Sequence, residues 1–420
     1  MLILLFNFSG VHSHRLRILS KSESNQVVNV YTIVTKLPFL GMSVASNTHF
    51  LTWHEKFELL DYLLSSNITL YYMDSDEMVF LEHEQGVNIY DTKKYPFFFL
   101  AQRYTAIRML TVPLCFMPDL ASKLTKPQCK VTWICHMARC GSTTVVQGIN
   151  AIPNCVAISE SQDILKHLTS VYAARKIKIS DYIKTQEFKD VLKFSVSYML
   201  RSFSKDQHVC PKTTASFAYH LISPLSELFP SHKFISMHRD GLGTAKSFWR
   251  MGSGHSLLKF GVWTMKNFPS ISKQAYEKVI VVFANGLQSE VMDMYTNGEI
   301  TMFLFFYMQW ITNMVTFQRN KSSVKELITL CHDDFQQDKK GSMMKVSGHS
   351  FLCVFACSRS LILAQTSYCL ICMILLTDKL CRWSDIFLSI NNLYTMSFWI
   401  TLLSLKILVY IPPTFQSELV

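Results

Sequence analysis

Residues Val131 to Asn150, VTWICHMARCGSTTVVQGIN, constrain the fold more than any other stretch of the chain. An apolar run ends in Arg139-Cys140-Gly141-Ser142-Thr143, and a second apolar run with helical spacing follows. That order predicts a buried strand, a tight turn and a helix start. The first N–H groups of a helix lack intrahelical partners, and the helix dipole favours an anion beside them. Gly141 allows close backbone approach, Ser142 and Thr143 bring hydroxyls, and Arg139 brings a forked cation. The combination suits a phosphate or a sulfonate.

A Walker A loop is excluded. It needs a glycine five residues before its Gly-Lys-Ser/Thr, where this chain has His136, and Ser142 stands in place of the lysine. A nucleoside kinase therefore lacks its central cation. The second informative stretch is Leu225 to Met251, LSELFPSHKFISMHRDGLGTAKSFWRM. It reads as a helix end closed by Pro230, a short strand over Lys233 to Met237, and a helix from near Leu242. Arg239 leaves the strand, and Ser247 follows eight residues later, early on the helix. Both can face one phosphate, Arg as a bidentate donor and Ser as a directed one.

Together the two stretches resemble the P-loop sulfotransferases, over about Lys130 to Lys340. The wording ICHMARCGST followed by VAISES resembles a poorly characterised animal sulfotransferase-like group. The resemblance implies an α/β fold, a P-loop-type parallel sheet flanked by helices. It implies 3′-phosphoadenosine 5′-phosphosulfate (PAPS) as donor, no metal, and a glycan or small-molecule acceptor. Arg139, Cys140, Gly141, Ser142 and Thr143 then hold the 5′ side of the donor, and Arg239 and Ser247 the 3′-phosphate. Arg139 stands where many relatives carry a catalytic lysine. Glu160, in VAISES, is the candidate base, with a structural carboxylate as the alternative. Lys212, in CPKTT, is the candidate cation for the transferring group, with a solvated loop lysine as the alternative. His136 and His238 each follow a predicted strand and rank below Glu160 as bases. Gly241 replaces the family's usual proline after Arg-Asp, which predicts a looser turn. The alternative to an active enzyme is an inactive relative that keeps the fold and binds a nucleotide, or a membrane-anchored interaction protein.

The expected organisation has four parts: 1–26 without a defined fold, a 27–124 α+β extension, the 125–345 nucleotide-binding domain, and an atypical hydrophobic tail over 346–420. Within the extension, Trp53 to Leu64 has helical apolar spacing. Ile68 to Met73 and Met78 to His83 flank an Asp-Ser-Asp turn and predict a hairpin. The stretch KKYPFFFLAQRYTAIRML supplies aromatic core. Ser161 to Lys205 reads as a mostly helical crossover between the two binding strands. Phe303 to Thr316 reads as a buried helix. Lys325 to Phe335, KELITLCHDDF, resembles the strand and acidic turn that close many sulfotransferase cores.

The net charge of +11 favours anionic partners, but no basic block points to nucleic acid. The twelve cysteines follow no disulfide spacing. Cys135 reads as a buried small hydrophobe, and Cys140 beside Arg139 predicts a lowered thiol pKa. The apolar setting of Cys353-x-x-x-Cys357 and Cys369-x-x-Cys372 argues against zinc. Met1 to Phe8 is too short to span a bilayer. Leu393 to Ile411 is long enough, with Lys406 as its one charge. A real tail anchor predicts a Golgi-like membrane protein, and its absence a cytoplasmic one. The favoured expectation is translation past an exon end, because Lys345-Val346-Ser347 is what an in-frame AAG-GTA-AGT splice donor encodes and the tail has no amphipathic period. The tail also lacks the Gly-rich, lysine-bearing segment with which cytosolic sulfotransferases close over the nucleotide.

Overall fold

The computed structural model describes residues 27–37, 44–175, 177, 179–215, 217–253 and 302–351. The chain divides into Met1–Leu352 and Cys353–Val420, and every described residue lies in the first unit. The readings made for Met1 to Phe8, for Leu393 to Ile411 and for the four spaced cysteines of the tail fall outside the described residues.

Two five-stranded sheets organise the first unit. The N-terminal sheet is antiparallel, with β1 (Val27–Lys36), β2 (Phe50–Leu59), β3 (Ile68–Met73), β4 (Glu77–His83) and β5 (Ala106–Pro113) in the order β2-β1-β5-β4-β3. The hairpin expected over β3 and β4 is present, its turn tied by Asp74 Oδ1, which accepts from the N–H groups of Asp76 and Glu77 at 2.9 Å. Helix α1 (Phe98–Thr105) precedes β5 and buries Phe98 and Phe99. A short helix α2 (Met117–Ser122) leads to the second sheet.

The helix expected over Trp53 to Leu64 is a correction. Residues Phe50–Leu59 form strand β2 along β1, and only Leu60–Leu64 coils, as a 3-10 turn that buries Leu60 and Leu63. The β1–β2 register pairs Val30 with Lys56 and Tyr31 with His54, so Glu55 is an extra, bulged residue. A bulge shifts the inside–outside alternation by one. It erases the period of two that marks a strand and leaves an apolar spacing that mimics a helix.

The second sheet is parallel throughout. Its strands β6 (Lys130–His136), β7 (Cys155–Ser159), β8 (His208–Lys212), β9 (Lys233–His238) and β10 (Leu327–Cys331) lie in the order β10-β9-β6-β8-β7. Helix α3 (Ser142–Asn150) follows β6. Helices α4 (Asp163–Arg175), α5 (Ile179–Tyr182) and α6 (Gln186–Leu200) follow β7, and α7 (Ile222–Leu228) leads to β9. Helix α8 (Gly241–Ser253) follows β9, α9 (Met302–Asn320) precedes β10, and α10 (His332–Gln337) and α11 (Lys339–Phe351) close the unit. The fold is thus α/β, a parallel sheet flanked by helices.

The expected single crossover over Ser161 to Lys205 is corrected in one respect. It is helical, but it joins β7 to β8, two strands not anticipated as such. Each has five residues, and β8 contains Pro211, which reads against a central strand. The β6–β8 ladder accommodates it by pairing Val131 with Val209 and next Ile134 with Lys212, passing over Pro211. The helix expected at Phe303 to Thr316 is present within α9, where Gln309, Thr312 and Asn313 are its buried polar residues. The acidic turn after β10 is the first turn of α10. The expected boundary at residue 345 lies inside α11, where Val346 and Ser347 are buried. Among the described residues no helix is long and apolar enough to cross a membrane.

Chain order sets a topological switch point between β6 and β9. After β6 the chain runs to one side of the sheet, and after β9 it runs to the other. Ligands of open α/β sheets bind outside the carboxyl ends of the strands at such a switch point. The loops there are Met137–Gly141 and His238–Asp240.

Candidate active site

The Met137–Gly141 loop forms because the chain must turn sharply from the buried end of β6 into α3. Arg139 (φ 67°) and Gly141 (φ 86°) both adopt the left-handed conformation, bracketing Cys140. Left-handed residues alternating with right-handed ones turn successive N–H groups toward one concavity, the geometry of an anion nest. Gly141 is there for its φ, since a Cβ would find ordinary contact distances of 3.5 Å to His332 Nδ1 and Phe335 Cδ1. Any other L residue would be strained at that φ.

Strand β9 delivers the second loop beside the first. Arg139 Nε donates to Ser247 Oγ at 2.8 Å, and an Arg239 guanidinium N–H donates to the Arg139 carbonyl at 3.3 Å. The residues assigned to the two ends of the donor therefore meet. Ser247 accepts from Arg139, which leaves its own O–H free to donate outward. The turn at Gly241 is not loose, a correction to the expectation. Asp240 Oδ1 accepts from Gly243 N–H at 2.6 Å, and Trp310 Nε1–H donates to the Arg239 carbonyl at 2.7 Å. A Cβ on Gly241 would lie 2.8 Å from both Tyr307 and Trp310 ring atoms, so glycine is what lets α9 pack this close.

Among the described residues this edge is rich in cationic groups, with Asp240 as a nearby acid. Burial and the charge of Arg239 hold the Arg139 guanidinium below its ordinary pKa. Among the described residues Arg239 Nε makes no hydrogen bond, and it lies 3.7 Å from Asp240 Oδ2. His238 Nδ1, His332 Nδ1 and Thr244 Oγ1 are likewise buried without partners. Buried polar groups are normally satisfied, so these orphans single out this strand edge for attention.

A second cluster lies at the ends of β7 and β8. Lys212, the last residue of β8, is 2% exposed, and its ammonium meets Glu160 Oε1 at 2.7 Å and Thr143 Oγ1 at 3.4 Å. It is a buried strand-end lysine, not a solvated loop lysine. Glu160 follows β7 with φ 60°, and its N–H donates to the Lys212 carbonyl at 2.9 Å. That left-handed turn aims the carboxylate back at Lys212. Strain of this kind, about 1 kcal/mol or more for a non-glycine residue, clusters at functional sites. The extension reaches the same cluster, with the Phe97 ring centre 5.3 Å from Lys212 Nζ.

His136 stands between the two groups. Its Nδ1 lies 3.2 Å from Ser142 Oγ, and its Nε2 lies 3.6 Å from Glu160 Oε1. Burial, reinforced by Lys212, pushes its pKa down to about 4. At 2% exposure the ring is closed to direct contact with an acceptor molecule, which argues against it as the acceptor's base. His238, at the end of β9, is half-buried, and burial lowers its pKa. Ser142 turns its hydroxyl inward to His136, and Thr143 turns its own toward Lys212.

Cys140 is a further correction. Proximity to Arg139 predicted a lowered pKa, but the thiol is fully buried and desolvation pushes it up to about 11. Cys135 is the buried small hydrophobe expected, its thiol pushed to about 12. Cys140 is therefore expected to resist iodoacetamide at pH 8 in the folded chain, while exposed Cys115 reacts. Peptide mapping of the alkylated protein checks this, and fast labelling of Cys140 would contradict it. Among the described residues no group of three His, Cys, Asp or Glu could hold a metal ion.

The residues missed by sequence reasoning are Phe97 and His332. Phe97 lies in a run of aromatics with no spacing signal. His332 stands in HDDF, where the acidic residues carry the resemblance and the histidine does not.

The sequence matches no family model and no curated protein. Among solved structures, it is similar to a sulfotransferase from Alicyclobacillus acidocaldarius, with 10% identity over 54% of this chain and 81% of that one, at a TM-score of 0.29. It is also similar to the sulfotransferase domain of the Synechococcus PCC 7002 olefin synthase, with 11% identity, 54% and 74% coverage and a TM-score of 0.30. The sulfotransferase domain of the curacin biosynthetic pathway matches with 11% identity over 54% of this chain and 74% of that domain, at a TM-score of 0.31.

Proposed function

We propose that this chain is a sulfotransferase that takes a sulfuryl group from PAPS and gives it to a hydroxyl or amine of a glycan or small-molecule acceptor. The observation that carries the reading is the meeting of Arg139, Arg239 and Ser247 at the switch point, one strand away from the buried Lys212–Glu160 pair. Two neighbouring guanidinium groups, one with an Nε that makes no hydrogen bond among the described residues, fit a ligand with two phosphate groups.

The residues present fit the donor. Arg139, the Cys140–Gly141 backbone and Thr143 hold its 5′ side, and Arg239 and Ser247 its 3′-phosphate. When bound, the donor supplies the sulfuryl group and a phosphate leaving group. Lys212 neutralises charge between the transferring group and Thr143, as preorganised cations do in group transfer. Glu160 takes the acceptor's proton as the acceptor's oxygen or nitrogen bonds to sulfur. The sulfur–oxygen bond to the 5′-phosphate breaks, and its electron pair stays on that phosphate. His136 holds Ser142 and Glu160 in place from behind.

A second reading is favoured by one observation, the 2.7 Å Lys212–Glu160 contact, which occupies the candidate base. It gives an inactive relative of the animal sulfotransferase-like group that binds nucleotide without turnover.

The donor assignment is tested by Arg239→Ala. A charge-assisted phosphate contact contributes about 1.5–3 kcal/mol. The substitution is therefore expected to weaken adenosine 3′,5′-bisphosphate roughly 10- to 100-fold while 5′-AMP barely changes. Calorimetric titration of both nucleotides measures it. Equal losses would show that Arg239 does not read the 3′-phosphate.

A further inference from the structure

Five side chains link into a ring behind the anion loop. Ser142 Oγ contacts His136 Nδ1, His136 Nε2 faces Glu160, Glu160 pairs with Lys212, and Lys212 contacts Thr143. Both ends of the ring sit on the first turn of α3. His136 has further contacts that no single neutral form satisfies. Its Nδ1 lies 3.1 Å from the Met137 carbonyl, and its Nε2 lies 2.9 Å from the Thr213 carbonyl.

A carbonyl oxygen only accepts, so each of these contacts calls for an N–H, and neutral imidazole has one. With the proton on Nε2, Thr213 is satisfied and Glu160 is faced by a donor. Nδ1 is then bare, accepts a hydrogen bond from the Ser142 hydroxyl, and meets the Met137 carbonyl lone pair to lone pair. With the proton on Nδ1, Met137 is satisfied, and the bare Nε2 faces both the Thr213 carbonyl and the Glu160 carboxylate. The imidazolium satisfies both carbonyls and lets Ser142 Oγ accept, which frees the Ser142 O–H to point elsewhere.

We infer that His136 is a positioning residue that takes up a proton when an anion settles on the loop, releasing the Ser142 hydroxyl to donate to that anion. This rests on the anion-loop reading above. In the free protein burial and Lys212 keep the ring neutral, while Glu160 and the two carbonyls pull the other way. A phosphate beside the loop adds negative charge, which favours the protonated ring. Among the described residues, the other titratable groups around the loop include Arg139 and Cys140 within it, Cys135 on β6, Tyr219 beside Cys140, His238 at the end of β9, Arg239 and Asp240 after it, His332 at Gly141, and Asp334 near His238.

The sign follows from linkage. The complex binds more protons than the free protein, so affinity falls as pH rises through the window, by up to about tenfold per pH unit. The test is calorimetric titration with adenosine 3′,5′-bisphosphate between pH 6 and pH 8 in buffers of different ionisation enthalpy. Ligand protonation is common to all variants and cancels in the comparison. Wild-type protein is expected to take up more protons than His136→Gln or Ser142→Ala, the second of which keeps the buried ring. Side-chain nitrogen shifts of His136 give a readout without substitution, a neutral pattern in the free protein and an imidazolium pattern in the complex. A neutral ring in both states, or equal proton uptake by wild type and variants, overturns the inference while leaving the donor reading intact. No binding of the bisphosphate by wild type overturns both.

Discussion

Glu160→Gln is expected to lower turnover roughly 100-fold or more while donor affinity changes little. The amide keeps the shape of the side chain and its contact with the Lys212 ammonium through the carbonyl oxygen, but it accepts no proton from the acceptor. The carboxylate is 18% exposed, enough for an acceptor to reach it, and the left-handed turn after β7 fixes its direction. Initial rates with PAPS and a responsive acceptor, with bisphosphate affinity measured beside them, separate the two effects. Near-normal turnover would remove Glu160 from the chemistry and make the half-buried His238 the first candidate, since His136 is enclosed. Loss of donor affinity equal to the loss of rate would instead make Glu160 a structural partner of Lys212.

Lys212→Ala is expected to be the most destabilising change at the site. Removing one partner of a buried ion pair costs about 3–5 kcal/mol, because the other charge is left uncompensated. The low end applies here, since Glu160 retains some access to water. The substitution also removes the buried alkyl stem and the ammonium over Phe97. Urea unfolding should show the loss, and Lys212→Met with Glu160→Gln should recover part of it by removing the stranded charge while keeping volume. A Lys212→Ala change within about 0.5 kcal/mol of wild type would mean that water replaces the ammonium freely, against the enclosure described.

The parallel-sheet edge was legible because its signals are local. VTWICH, a turn with glycine and STTVVQGIN can be read without knowing what packs on them, and so can KFISMH followed by Arg239 and a helix. Where the structure departed, a tertiary term decided. The bulge at Glu55 shifted the alternation of β2, so a strand wore a helical spacing. Pro211 sits in a central strand because its neighbour passes over that position. Cys140 was misread, and the solvated alternative for Lys212 fell, for one shared reason. Residue type alone suggests a solvated lysine and a reactive thiol, and only the packed structure shows that both are enclosed. Arg239 and Ser247 were put together from an eight-residue spacing, but their link through Arg139 depends on the adjacency of β6 and β9, which no spacing reveals.

The measurement that bears most directly on the central claim is a crystal structure of the chain grown with adenosine 3′,5′-bisphosphate. The account places the 5′-phosphate on the Arg139–Thr143 loop within about 2.7–3.2 Å of its donors, and the 3′-phosphate on Arg239 and Ser247. It also places the Ser142 hydroxyl turned from His136 toward the phosphate. A nucleotide bound away from both loops, or a site left empty at saturating nucleotide, would contradict it.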